Sequence, residues 1–148
     1  VESSHEIAAA ARDNLALNDG EGRSEVTEAN AFDELRRLER AGRRFGLIVV
    51  DPPPFSRSRT TLDAALRGYK EVNLRAMRLL EPGGSLATFS CSHHIITTDF
   101  ADICRAAATD AGVNVRILAD LTQSPDHPVL LTVPETRYLK GLFLEEAG

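Results

Sequence analysis

The sequence predicts an α/β fold: an open, twisted, mostly parallel sheet with helices on both faces. Three observations lead there. Segments of helical period alternate with short apolar runs along the whole chain. Turn formers separate them, at Asn18-Asp19-Gly20, Pro52-Pro53-Pro54 and Pro82-Gly83-Gly84. The strongest run, Gly46-Leu47-Ile48-Val49-Val50, is apolar without alternation, as expected of a strand buried on both faces of a parallel sheet. Strand–helix–strand repetition of this kind builds layered sheets. The 148 residues suit one domain, with no internal repeat, low-complexity tract or linker.

Taken in order, Val1-Glu2 reads as a strand end, and Ser3 and Glu6 stand at capping-box spacing before an Ala-rich helix over Ile7 to Leu17. Asn18-Asp19-Gly20 stops that helix, and Ser24 to Thr27 reads as a short strand. Phe32, Leu35 and Leu38 recur at helical spacing among charged residues, the pattern of an amphipathic helix. After the Gly46–Val50 strand and its prolines, a long helix covers about Leu62 to Leu80, with Leu66, Tyr69, Val72, Leu74, Met77 and Leu80 for its apolar side. A strand over Ser85 to Ser90, a helix over Asp99 to Ala111 ended by Gly112, and strands over Val113 to Leu121 and Tyr138 to Glu145 complete the chain. Leu130 to Val133 adds a short strand between the last two.

Composition narrows the function. Hydrophobic residues make up 43% and charged residues 26%, an ordinary globular balance. A net charge of −5 excludes a polybasic module that grips nucleic acid by bulk electrostatics. Two cysteines, Cys91 and Cys104, do not make a disulfide framework, so the expectation is free thiols in a cytoplasmic protein. The longest uncharged run, Pro82 to Thr98, is broken by Pro, Gly and His, and neither a membrane span nor a signal peptide is expected.

In open α/β sheets, ligands bind beyond the carboxyl ends of the strands. Glu2, Asp51 and Cys91 all fall at such ends. An acidic group at the position of Glu2 suits the two hydroxyls of a ribose, and equally suits a solvated first-turn carboxylate beside a helix dipole. Asp51 opens Asp51-Pro52-Pro53-Pro54-Phe55, where the prolines make a stiff turn whose carbonyls can face a ligand. Phe55 then stands where an aromatic ring can stack on a flat base or simply fill the core. Cys91, within Ser90-Cys91-Ser92-His93-His94, has hydroxyl and imidazole neighbours and precedes a helix, a setting that favours a usable thiolate. Cys104, beside Ile103 in a helix, reads as an inert packed thiol. Cys91, His93, His94 and His127 match no zinc spacing, so no metal is expected. Arg57, Arg59, Arg67 and Lys70 against Asp63 make a locally basic lip suited to phosphates and base planes, or a solvated helix entry.

These residues stand in a longer series. It runs through Asn14-Leu15-Ala16-Leu17-Asn18, Asn30-Ala31-Phe32, Phe45 to Phe55 and Arg67-Gly68-Tyr69-Lys70-Glu71-Val72-Asn73. It continues with Leu80-Glu81-Pro82-Gly83-Gly84, Ser90 to His94, Asp126-His127-Pro128 and Pro134 to Lys140. In these the chain resembles the bacterial 23S ribosomal RNA cytosine-5 methyltransferases of the RlmI type, class I S-adenosylmethionine enzymes. The resemblance implies a three-layer Rossmann-like sheet with an antiparallel strand near the C-terminus, and it makes residues 1–148 a methyltransferase domain. It implies S-adenosylmethionine as cofactor, with Glu2 on the ribose, Asn30, Ala31 and Phe32 around the adenine, and Asp51 facing both cofactor and target base. It makes Cys91 the nucleophile and gives Pro52, Pro53, Phe55, Arg57 and Arg59 to the substrate, 23S ribosomal RNA, with a homodimer as an allowed assembly. The family usually carries Asp where this chain has Asn30.

A first strand, a Gly-rich loop and an RNA-binding PUA domain belong to the family pattern and do not occur in this sequence. The expectation is therefore an N-terminally truncated domain. Its first strand would lie between the strands ending at Glu2 and Asp51, and Ile48 and Val50 would be left uncovered by its absence. The 148 residues alone would then bind the cofactor weakly. Two alternatives accompany this reading: a catalytically silent fragment with at most weak RNA or protein binding, and a guanine methyltransferase on the same scaffold, which leaves Cys91 without a task.

Overall fold

A computed structural model describes residues 1–18, 20, 22–55 and 62–148. Its elements are α1 (His5–Leu17), α2 (Ala31–Arg40), β1 (Phe45–Val50), α3 (Leu62–Arg78), β2 (Leu80–Ser90), α4 (Thr97–Ala111), β3 (Val115–Leu121) and β4 (Lys140–Glu146). A 3-10 turn at Pro134–Thr136 precedes β4. The sheet order is β1-β2-β4-β3. β1 and β2 are parallel, while β4 runs antiparallel to both of its neighbours. The α/β class and open sheet are as the sequence predicts. The sheet is mixed rather than mostly parallel, because among the described residues β1–β2 is the parallel strand pair and the two pairings of β4 are antiparallel.

Local chemistry explains the element ends. The cap of α1 is Ser4, one residue later than the Ser3 expected, and its hydroxyl accepts from the Ile7 N–H at 3.4 Å. Asn30 caps α2 by accepting from the Phe32 N–H at 2.9 Å. Gly112 ends α4 in the left-handed region with φ 71°. The expected strand at Ser24–Thr27 is reduced to a single parallel bridge between Glu2 and Glu28. The one at Leu130–Val133 is likewise a single bridge. Pro82-Gly83-Gly84 does not separate helix from strand. It forms an irregularity inside β2, so that Phe45 pairs with Leu80 while Leu47 pairs with Ser85.

One core lies between the sheet and the layer made by α3 and α4. Tyr69, Val72, Ala76 and Met77 of α3 and Phe100, Ile103, Cys104 and Ala107 of α4 meet Val50, Leu86, Leu142 and Leu144 from the strands. Leu66 and Leu74, expected on the apolar side of α3, are only partly buried, and Ala65 and Asn73 take inward places instead. Among the described residues, the helices packed on the sheet, α3 and α4, lie on this face. Leu47 and Val49, pointing to the other, are 60% and 62% exposed. This corrects two expectations, that β1 is buried on both faces and that Ile48 and Val50 are its uncovered residues. Side chains alternate along a strand, so Ile48 and Val50 share the covered face and Leu47 and Val49 the open one.

α2 docks on α3 through a charged seam. Glu39 pairs with Arg75 at 2.5 Å and with Arg78 at 3.1 Å, and Glu71 binds both Arg75 and Arg36 at 3.1 Å. The Arg75 guanidinium holds the Glu39 carboxyl below the usual carboxylate range. Burial pushes the Glu71 carboxyl up, but Arg75 and Arg36 outweigh it and leave it lowered. Carboxyls lowered in the folded chain stabilise it fully above their ordinary pKa, and that stabilisation fades as pH falls through the folded values. The urea midpoint is therefore expected to fall as pH drops from about 5 to about 3. A Glu39→Gln, Glu71→Gln double variant should show a flatter dependence in the same titration. An unchanged slope would mean that the seam contributes nothing.

Candidate active site

Parallel pairing of β1 and β2 sets the site. Asp51 follows the last residue of β1 and Cys91 the last residue of β2, and Val50 is in register with Thr88, so both exits open at the same sheet edge. The Cys91 Sγ lies 3.9 Å from the Pro52 carbonyl oxygen, toward which its S–H is directed. Pro52 has no N–H and presents only this acceptor. Asp51 and Pro53 are exposed, and Pro52, Phe55 and Cys91 are half-buried.

The turn that carries Cys91 is tied on several sides. The Ser92 hydroxyl is 3.0 Å from the Tyr69 hydroxyl, inside the core. The Ser92 carbonyl accepts from the Ile95 N–H at 3.2 Å and from Lys140 Nζ at 2.8 Å. Lys140 also donates to the Tyr138 carbonyl at 2.8 Å. The sequence places Tyr69 only on the apolar side of α3 and Ser92 only as a hydroxyl beside Cys91, and it gives Lys140 no task of its own. A lone Lys inside the apolar run Leu139-Lys140-Gly141-Leu142 is the signal that could have found the last of them. His93 and His94 are exposed, and α4 begins beyond them at Thr97. Burial pushes the Cys104 thiol up to about 12, consistent with the inert role expected of it.

Phe55 joins the two halves of the site. Its ring lies 4.7 Å from that of Tyr69 and 5.8 Å from that of Phe32, centroid to centroid. Gly68 permits this, because a Cβ there would sit 3.2 Å from the Phe55 ring. Phe32 therefore packs on protein along one side and is only partly buried. Glu2 bridges to the Glu28 segment, which leads directly into Asn30, Ala31 and Phe32. The Ser4 N–H donates to the Glu2 carboxylate at 2.7 Å, and this bond holds the Glu2 carboxyl below its ordinary range. Of the basic lip, Arg67 is exposed, but Lys70 is paired with Asp110 at 2.6 Å and does not belong to it. Arg57 and Arg59 lie outside the described residues. Among the described residues, no three His, Cys, Asp or Glu side chains are grouped to hold a metal ion, and no helix is long and apolar enough to cross a membrane.

No family profile matches the chain. Curated relatives do. The chain is 42% identical over 142 residues to ribosomal RNA large subunit methyltransferase I of Klebsiella pneumoniae strain 342, a match covering 95% of the chain and 36% of that relative. The protein of the same name from Shewanella amazonensis is 45% identical over 134 residues, 89% of the chain and 34% of its own length. The chain is a homologue of ribosomal RNA large subunit methyltransferase I. It spans about a third of the length of these relatives. Solved structures agree on the fold of the homologue. A Streptococcus mutans protein described as a SAM-dependent methyltransferase superposes with TM-score 0.81 at 14% identity, over 97% of this chain and 36% of its own. The O-methyltransferase from Bacillus cereus in complex with SAH gives 0.61 at 17% identity, over 99% and 60%.

Proposed function

We propose that this chain carries the catalytic residues of an S-adenosylmethionine-dependent enzyme that methylates C5 of a cytosine in 23S ribosomal RNA. The observation that carries the reading is the convergence of Cys91 with Asp51-Pro52 at the carboxyl ends of two adjacent parallel strands. The homology to a named ribosomal RNA methyltransferase supports the reaction class and the RNA substrate.

The residues present suit the nucleoside half of the cofactor. An ionised carboxylate, oriented by the Ser4 N–H, suits a pair of ribose hydroxyls, and Glu2 is one. The first turn of α2 offers N–H donors, and Phe32 an apolar ring, to a purine. The Asn30 oxygen is already engaged by the Phe32 N–H, which leaves its amide group as a donor toward a ring nitrogen. Bound there, the cofactor supplies an electrophilic methyl group. Cytosine C5 is a weak nucleophile. The Cys91 thiolate adds to C6, forming an S–C6 bond and placing the displaced electron pair on C5, which would take up the methyl group as its bond to the cofactor's sulfonium sulfur breaks and leaves a neutral thioether. A base, His93, His94 or water, then removes the C5 proton, and the pair left behind re-forms the ring double bond and expels the thiolate. Asp51 steadies the adduct at the exocyclic amine or, when protonated, at N3. Pro52, Pro53 and Phe55, with Arg57 and Arg59, receive the unstacked nucleotide and its flanking phosphates.

The test is methyl transfer by the full-length protein to a 23S ribosomal RNA transcript, with the product base identified by mass spectrometry. The expected product is 5-methylcytosine at a single position. Methyl groups found only on guanine, or on no base, would overturn the reading.

A further inference from the structure

We infer that Lys140 is the counter-ion of the Cys91 thiolate, a buried positioning residue that holds the sulfur-bearing turn and supplies the positive charge its anionic form needs. The inference rests on the reading of Cys91 as nucleophile. Lys140 opens β4 directly opposite Ser90, the last residue of β2, and is only 7% exposed. Its ammonium donates to two neutral acceptors, the carbonyls of Ser92 and Tyr138, each at 2.8 Å. Among the described residues no carboxylate lies within ion-pair distance of it. A buried cation without an anion is costly and persists where a function needs it.

The thiol of Cys91, one residue from the carbonyl that Lys140 holds, is the acid placed to become that anion. Burial pushes the Lys140 ammonium down, and the charge of Cys91 acts against this. Other ionisable groups flank the turn from each packed element: Asp51 after β1, His93 and His94 after β2, Tyr69 on α3, Asp99 on α4, Asp120 on β3, and Arg137 and Tyr138 before β4. Asp51, His93, His94, Asp99, Asp120 and Arg137 are exposed, where water screens them, and the Tyr69 hydroxyl is engaged with Ser92. Lys140 is the charge that solvent does not attenuate.

Lys140→Gln keeps a donor for the carbonyls and removes the charge, whereas Lys140→Met removes both. The probe is iodoacetamide, read by mass spectrometry on the peptide that carries Cys91 in the full-length protein, from about pH 6 to about pH 9. Both variants are expected to alkylate about fivefold or more slowly near neutral pH, with the rate profile displaced to higher pH. A wild-type rate and profile in Lys140→Gln would overturn the inference. Should either variant unfold, carbon-13 NMR of the Lys140 Cε in the wild type still decides. Its shift is expected to follow the ionisation of Cys91 and to lose that step in Cys91→Ala, and a titration curve identical in the two proteins would overturn the pair. Methyl transfer surviving in Cys91→Ala would remove the nucleophile reading and leave the alkylation result standing, so the two failures are distinct.

Discussion

Cys91→Ala in the full-length protein is expected to lower methyl transfer to ribosomal RNA by about three orders of magnitude or more, while affinity for S-adenosylmethionine changes by less than about twofold. The separation follows from geometry. Cys91 faces the Pro52 carbonyl at the β1 and β2 exits, whereas the residues suited to the nucleoside sit at Glu2 and at the start of α2. On the proposed mechanism, removal of the sulfur leaves C5 of cytosine without its source of electron density and does not touch the residues proposed for the nucleoside. Cys91→Ser should fail almost as completely, because an alkoxide is far harder to form near neutral pH than a thiolate. Single-turnover transfer of labelled methyl and calorimetric titration of the cofactor measure the two quantities independently. Turnover near the wild-type rate in either variant would assign the nucleophile elsewhere.

Much of this site is legible in the sequence because its parts lie at strand ends, and strand ends are announced by turn formers. Gly46–Val50 running into three prolines locates Asp51, and the exit at Ser90 locates Cys91. What the sequence does not give is the side-to-side arrangement. The parallel pairing of β1 with β2 brings Cys91 to Pro52 from 39 positions away. The antiparallel insertion of β4 beside β2 brings Lys140 to Ser92 from 48 positions away. Local pattern carries neither distance. Burial at β1 departs from the sequence pattern for a related reason. An unbroken apolar run predicts cover on both faces, but cover depends on what packs there, and Leu47 and Val49 stay exposed among the described residues. The basic lip shows the same limit, since the charge of Lys70 is spent on Asp110 of a helix that is remote in sequence.

Gly141→Val is expected to destabilise the protein by about 2–3 kcal/mol, the larger of the stability effects the fold predicts. β4 is an interior strand, and Gly141 stands in register with Phe89 of β2 on one side and Leu121 of β3 on the other. A Cβ at this position would lie 2.6 Å and 2.9 Å from two atoms of the Phe89 ring and 3.0 Å from the Leu121 Cβ. The ring uses the space that glycine leaves. Two terms oppose the clash: β-branched residues favour strands by up to about 1 kcal/mol, and glycine loses the most backbone freedom on folding. Neither relieves contacts of 2.6 Å and 2.9 Å with the Phe89 ring on one side and 3.0 Å with Leu121 on the other, so overpacking wins. If the clash is the cause, removing the ring should remove the penalty. The Phe89→Ala, Gly141→Val double variant should then recover about 1 kcal/mol or more beyond additivity in urea unfolding. Additive losses would place the strain in the Leu121 contact or in the backbone instead. Phe89 directly precedes Ser90 and Cys91, so a displaced ring should also slow alkylation of Cys91 in the single variant and restore it in the double.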